Sequence, residues 1–175
     1  MTPMIRPAKE SDVPAIVAVD IAAGRADVGN TRGLAASMKA AVADAACLLL
    51  VAEMPPGTTA DGAHAVVAWA KTHWWDFADG AAPAGHYLAG ITVLPAFRRR
   101  GLASELTEAR LQWIWERADD AWYVVNARNQ ASLALHRKWG FREVGRGPGF
   151  HTVTFDGGEG VLLSAARPLR GRRVT

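Results

Sequence analysis

The fold is decided by residues 90–103, which read Gly-Ile-Thr-Val-Leu-Pro-Ala-Phe-Arg-Arg-Arg-Gly-Leu-Ala. Apolar and β-branched residues predict a strand over Tyr87–Val93, and apolar residues at helical spacing predict a helix over Leu102–Arg117. A helix start has unpaired N–H groups, and Gly101 would let an anion approach the backbone closely. The segment Arg98–Ala103 is therefore typical of a phosphate or pyrophosphate site. By themselves, these residues leave open a solvated, arginine-rich helix start.

Strand and helix patterns alternate on both sides of this segment. The predicted strands cover 5–8, 47–53, 65–72, 122–125, 141–145 and 160–165, and the predicted helices begin at 13 and cover 34–46, 102–117 and 131–139. This order indicates an α/β fold, with a mixed sheet that has helices on both faces.

Local signals refine this outline. Ser11 or Asp12 is the expected N-cap of the first helix, and residues 153–158 are expected to form a turn. The chain has no internal repeat and no shift in composition that would mark a second domain. We therefore expect a single domain over residues 1–166, followed by a flexible basic tail over residues 167–175.

Composition excludes several classes of protein. Half of the 175 residues are apolar and 21% are charged, which is typical of a globular chain. No apolar run reaches the roughly 18 residues that a membrane-spanning helix needs. The N-terminus lacks the pattern of a signal peptide, so a cytoplasmic protein is expected. The one cysteine, Cys47, opens an apolar run and is expected to be a buried strand residue, and no internal disulfide can form.

The net charge of +3 is unevenly distributed. Four of the 20 Lys and Arg residues lie between Arg167 and Thr175, where there is no acid, so the rest of the chain has 16 basic and 17 acidic residues. A frayed, solvated tail explains this pattern without a nucleic-acid partner. A tail that touches nucleic acid is the alternative.

Two further stretches extend the pattern around the arginines. Residues 129–141 read Asn-Gln-Ala-Ser-Leu-Ala-Leu-His-Arg-Lys-Trp-Gly-Phe, and the chain opens with Ile-Arg-Pro-Ala at 5–8 and Ser-Asp-Val-Pro at 11–14. Together with Gly90–Pro95 and Arg98-x-x-Gly101-x-Ala103, they resemble the GCN5-related N-acetyltransferase (GNAT) family in order along the chain. The Leu-His pair at 135–136 is similar to the branch that contains phosphinothricin acetyltransferases.

The resemblance implies a mixed, mostly antiparallel sheet that splays open at its central strands and binds acetyl-CoA there. It assigns the pantetheine arm to the backbone of the central strand and the pyrophosphate to backbone amides of the helix start. The implied cofactor-binding residues are Ile91, Thr92, Val93, Arg98, Arg99, Arg100, Gly101, Leu102, Ala103, Ser104 and Asn129. Asn129 has an alternative role as the N-cap of the following helix. No metal is expected.

The reaction implied by the family is acetyl transfer to an amine, which must lose a proton, while the leaving thiolate gains one. His136 stands where the family often has a tyrosine that protonates the thiolate, and it is the candidate acid. Tyr87 stands where some members carry a base, but a tyrosine with a pKa of about 10 is a poor base. Tyr87 is therefore expected to hold a water or to shape the pocket. Other candidate bases are Glu53, His73, Asp76 and His86.

The acceptor is expected to be a primary amine of a small molecule, which reacts directly with acetyl-CoA in a ternary complex. Trp74, Trp75 and Asp76 fall between two predicted strands, and two indoles with an acid are suited to a cationic amine. The alternative is that these indoles pack in the core. Two other functions stay open, a protein N-terminal or lysine acetyltransferase and a non-catalytic acyl-CoA sensor. A homodimer is a family expectation.

Overall fold

The computed structural model describes residues 2–55, 57 and 65–169. These residues form nine strands and four α-helices. The strands are β1 (Met4–Pro7), β2 (Leu49–Met54), β3 (Ala65–Trp75), β4 (Gly85–Val93), β5 (Asp120–Asn126), β6 (Arg142–Gly147), β7 (Gly149–Phe150), β8 (Val153–Thr154) and β9 (Gly160–Ala166). The helices are α1 (Val13–Ala22), α2 (Arg32–Ala43), α3 (Leu102–Trp115) and α4 (Gln130–Arg137).

The chain divides into two compact units. One consists of Met1–His73 and Ala89–Arg110, and the other of Trp74–Leu88 and Leu111–Thr175. Both β3 and β4 run through a boundary between the units, as does α3. The expectation of a single domain stays a prediction.

In the first unit, β1, β2 and β3 are antiparallel neighbours. Alternate residues of β2 face opposite sides, as the pleat of a strand requires. Leu49 and Val51 pack with buried residues of α1 and α2, whereas Leu50 and Ala52 pack with Leu102 at the start of α3. Helices therefore cover both faces of the strands of this unit.

In the second unit, β5 pairs with β4 in parallel and with β9 antiparallel, and β9 pairs with β6 antiparallel. The parallel pairing joins Tyr87 to Trp122 and Leu88 to Tyr123, while β5 and β9 pair along their whole length. The sheet is thus mixed and mostly antiparallel.

Several local predictions were wrong. The strand expected to start at Cys47 starts at Leu49, because the N–H of Cys47 donates to the carbonyl of Asp44 in a turn. Cys47 is half-buried rather than buried in a strand. The turn expected over 153–158 begins with β8, which forms a small hairpin with β7.

Asp12 precedes α1 but makes no side-chain cap bond. Its carboxylate instead accepts hydrogen bonds from both terminal nitrogens of Arg6, at 2.7 and 2.9 Å, and from the N–H of Lys9. The hydrogen bonds from Arg6 hold the pKa of Asp12 below its ordinary value. The residue that sequence reasoning assigned to a cap thus joins β1 to the start of α1.

The predicted tail begins at Arg167, which is held rather than frayed. Its N–H donates to the carbonyl of Asp119, and its guanidinium pairs with the carboxylate of the same residue. Residues 170–175, which contain the other tail arginines, lie outside the described residues. Among the described residues, no helix combines the length and the apolar character needed to cross a bilayer.

Candidate functional site

The turn between β4 and α3 presents a row of backbone donors. Arg99 and Gly101 both have positive φ, of 60° and 85°. Within the described part of the chain, the N–H groups from Arg99 to Ala103 donate no hydrogen bond, whereas those of Ser104 and Glu105 donate to the carbonyl of Gly101 at 2.8 and 3.1 Å. Successive unpaired N–H groups at a helix start form an anion-binding concavity. We call residues 99–103 the amide cradle.

The charged side chains around the amide cradle are partly fixed. Arg98 donates from Nε to the carbonyl of Val93 at 3.2 Å, and the Arg100 guanidinium lies 5.3 Å from the centre of the Phe97 ring. Glu105 contributes a carboxylate in the first turn of α3. Three arginines against one acid leave the turn cationic, which favours a phosphate ligand.

The end of β4 supplies the strand predicted to bind the pantetheine arm. Ile91 and Val93 pack against the apolar cluster that contains Leu102 and Leu106 of α3. Thr92 is buried, and its hydroxyl has no hydrogen-bond partner among the described residues. An unpartnered buried hydroxyl is costly and is expected where a ligand supplies the missing partner.

Tyr87 and Leu88 of β4 pack in different apolar clusters of the second unit. Leu88 packs with Leu111 and Ile114 of α3. Tyr87 instead packs with Phe150. The two residues therefore face opposite sides of the strand, as alternation along a strand requires.

Asn129 is the N-cap of α4, since its side-chain oxygen accepts a hydrogen bond from the N–H of Ser132 at 3.1 Å. This is the alternative role that its sequence position left open. Its contact with a cofactor stays a prediction.

His136 lies on α4 with 1% of its surface exposed. Its Nδ1 is 2.7 Å from the carbonyl oxygen of Ser132, and since a carbonyl only accepts, Nδ1 carries a proton. The ring stacks on Tyr123 with centroids 4.1 Å apart. Any proton that His136 exchanges with a ligand therefore passes through Nε2.

Tyr87 is buried at the start of β4, and its hydroxyl donates to the carbonyl of Pro83 at 2.7 Å. Burial raises the pKa of Tyr87 far above its ordinary value. A hydroxyl with this pKa is not a base at neutral pH, and a role of Tyr87 in shaping the site stays a prediction.

Sequence reasoning missed His151, which follows β7. Its Nε2 lies 3.3 Å from the Tyr87 hydroxyl, and its ring stacks on Trp75 with centroids 4.5 Å apart. His151 has a φ of 53°, and its Nδ1 is buried without a partner among the described residues. Gly-Pro-Gly at 147–149 is typical of a tight turn and was the sequence signal available for the structure around His151.

Trp74 and Trp75 are the last two residues of β3, not part of a connection. Successive strand residues point to opposite faces, so the two indoles separate. The Trp74 ring lies 4.6 Å from His86, while Trp75 stacks on His151 and has Phe77 against its edge. The two indoles therefore do not line one binding site together, and Asp76 is exposed beside them.

His86 is buried on β4, between the rings of Trp74 and Trp113. Burial, followed by the charge of Arg117, lowers the pKa of His86 below its ordinary value of 6.5. Its Nδ1 has no hydrogen-bond partner among the described residues. His86 is therefore a neutral imidazole at pH 7. In the same part of the chain, no group of three or more His, Cys, Asp or Glu is arranged to hold a metal ion.

Comparison with known proteins agrees with this architecture. Residues 78–147 match the family model described as FR47-like protein. No curated protein is a significant match to the chain.

Solved structures match almost the whole chain. Arabidopsis thaliana NAA60 in complex with acetyl-CoA has a TM-score of 0.72 and 16% identity, over 94% of this chain and 98% of that one. A GNAT superfamily phosphinothricin acetyltransferase from Sinorhizobium meliloti, in complex with AcCoA, has a TM-score of 0.68 and 17% identity, over 98% and 95%. A ribosomal-protein-alanine N-acetyltransferase from Brucella melitensis has a TM-score of 0.66 and 22% identity, over 94% and 99%. The GNAT fold predicted from the sequence is confirmed.

Proposed function

We propose that this chain, which has the GNAT fold, is an acetyl-CoA-dependent N-acetyltransferase that acetylates the primary amine of a small molecule in a ternary complex. The observation that carries the proposal is the amide cradle at residues 99–103, next to the end of β4. The fold supports acyl-CoA as the ligand, since similar structures have been solved with acetyl-CoA bound.

The residues present fit this ligand. The pyrophosphate would accept hydrogen bonds from the amide cradle, and Arg98 and Arg100 would add positive charge. The backbone of Ile91 to Val93 would pair with the amides of the pantetheine arm, as an added strand would. The Thr92 hydroxyl would gain the partner that it lacks among the described residues.

The chemistry requires two proton movements. A free alkylamine has a pKa of about 10.4, so the ammonium must lose a proton before nitrogen attacks the thioester carbonyl. The C–N bond then forms, the C–S bond breaks, and the sulfur leaves as a thiolate that takes up a proton. We assign this donation to Nε2 of a protonated His136, because Nδ1 is held by the Ser132 carbonyl.

The amine loses its proton to water rather than to Tyr87 in this proposal. Burial removes Tyr87 as a base by raising its pKa, and its hydroxyl is already a donor to Pro83. A chain of waters that relays the proton to solvent needs no dedicated carboxylate. Tyr87 then orders the site through its hydrogen bonds.

Two exposed aromatic side chains of the second unit, Trp74 and Phe77, are the candidate contacts of the acceptor, and because they pack against different rings each is a separate candidate. Trp74 is 39% exposed and Phe77 is 48% exposed, so both rings are accessible to a ligand. Aromatic faces attract cationic amines, and Asp76 adds an opposite charge. Protein N-termini are the competing acceptor, since one similar structure is a ribosomal-protein-alanine N-acetyltransferase.

A panel of acceptors tests the proposal. Purified protein is incubated with acetyl-CoA and single primary amines: amino acids, polyamines, aminoglycosides and peptides with a free N-terminus. CoA release is measured together with the acetylated product by mass spectrometry. We expect amine-dependent release with small molecules. Acetylation of peptides alone would replace the assigned acceptor class, and binding without turnover on any amine would favour an acyl-CoA sensor.

A further inference from the structure

One buried arginine on α3 takes no part in the proposed acetyl transfer. Arg110 is 0% exposed and is the largest fully buried side chain among the described residues. Moving a guanidinium out of water is unfavourable unless its donors find good acceptors. A buried arginine therefore indicates that its hydrogen bonds hold a particular part of the structure in place.

The guanidinium joins two strands to the helix. Its Nη1 donates to the carbonyl of Lys71 in β3 at 3.0 Å and to the carbonyl of Ala89 in β4 at 3.2 Å. On the helix side, Nη2 donates to the hydroxyl of Thr107 at 3.1 Å and Nε to the carbonyl of Leu106 at 3.3 Å. One side chain thus fixes the direction of the Ala89 carbonyl relative to α3.

The next residue is fixed from the opposite face. A Cβ on Gly90 would lie 2.7 Å from Cη2 of Trp69, so the indole rests directly on the glycine backbone. Trp69 is itself held, because its Nε1 donates to the buried carboxylate of Asp20 at 2.9 Å. Trp69 packs with α1 and α2, whereas Ile91, one residue after Gly90, packs with α3.

Ala89 and Gly90 immediately precede Ile91 to Val93, the strand end assigned to acyl-CoA. Negative charge builds up on the oxygen of a thioester carbonyl during acyl transfer. Backbone N–H groups stabilise this charge only if they already point at the oxygen before the reaction.

We infer that Arg110 and Trp69 are positioning residues that hold the Ala89–Gly90 backbone from its two faces, so that the following N–H groups are aimed at the acyl carbonyl of bound acyl-CoA. This inference rests on the proposed function. It assigns Arg110 no contact with the reacting atoms.

The test compares two ligands that differ only at the acyl group. Calorimetry gives the dissociation constants of acetyl-CoA and of CoA for the wild type, Arg110→Met, Arg110→Lys and Gly90→Ala. We expect the wild type to bind acetyl-CoA more tightly than CoA. Arg110→Met and Gly90→Ala should reduce that preference at least fivefold with little change in CoA affinity, and Arg110→Lys should restore part of it. With the best amine, kcat should fall more than KM rises.

Leu111→Ala is the matched control, since Leu111 is also fully buried on α3 but packs in the core of the second unit. It should lower Tm without changing the preference for acetyl-CoA. If Arg110→Met does not fold, Gly90→Ala decides, because it perturbs the same backbone from the other face.

Equal wild-type affinity for the two ligands, or an unchanged preference in folded Gly90→Ala, would overturn the inference and leave the proposed function standing. A wild type that binds neither ligand would instead refute the proposed function.

Discussion

Replacing Gly101 tests whether the amide cradle holds the pyrophosphate. Gly101 has a φ of 85°, where a residue with a Cβ is strained by about 1 kcal/mol. For a domain of this length, that corresponds to a drop in Tm of roughly 2–4 °C. Gly101→Ala should therefore destabilise the protein slightly and distort the amide cradle, which weakens acetyl-CoA binding by several-fold.

Gly101→Asp adds a charge to the same strain. If its carboxylate lies roughly 7 Å from a phosphate, an effective dielectric constant of about 20 gives a repulsion of about 2.4 kcal/mol. This corresponds to an affinity loss of about 50-fold. Because the carboxylate is solvent-accessible, the loss should shrink as salt is raised. Calorimetric titration with acetyl-CoA at two salt concentrations measures both quantities.

Gly24→Asp is the matched control. Gly24 follows α1 with a φ of 70°, and no atom lies within 4 Å of the position of its Cβ, so the substitution adds similar strain and the same charge away from the amide cradle. It should leave acetyl-CoA affinity within about twofold of the wild type. Equal losses in the two variants, or full affinity in Gly101→Asp, would refute the assignment of the pyrophosphate to this turn.

Three other outcomes are expected. The pKa of His86 is lowered by burial and then by Arg117, so the unfolded state binds more protons than the folded state as pH falls through 6.5. The Tm of the wild type should therefore drop on acidification, and the Tm of His86→Phe should drop less steeply. An identical dependence of Tm on pH in the two proteins would contradict this. His136→Asn should lower kcat by about 10²-fold or more at unchanged acetyl-CoA affinity, and full kcat would remove His136 from the chemistry. Trp74→Ala and Phe77→Ala should raise the KM of the amine alone, and an unchanged KM in both would relocate the acceptor.

Much of the fold could be predicted because its signals are local. The helical spacing of α3 and the glycine before it marked both the helix and the amide cradle. The apolar runs of β5 and β9 marked strands with neighbours on each side. The hairpin of β7 and β8 was not predicted, because a strand of two residues is too short to show an alternation of apolar and polar residues.

The parts of the site that could not be predicted depend on contacts between distant residues. His151 lies 64 positions from Tyr87, so no local pattern connects the two. Arginine is normally a surface residue, and nothing in the sequence of α3 indicated that Arg110 would be buried between strand carbonyls.

Backbone amide NMR tests the central assignment most directly, and at 18.7 kDa the protein is within its range. A ¹⁵N-labelled sample is titrated with acetyl-CoA and, separately, with acetyl-pantetheine, which lacks the pyrophosphate. With acetyl-CoA, the N–H resonances of residues 99–103 should shift downfield more than others in the protein, and acetyl-pantetheine should leave them unmoved while still shifting those of Ile91 to Val93. Saturable binding of acetyl-CoA that leaves the resonances of residues 99–103 in place would contradict the proposed site.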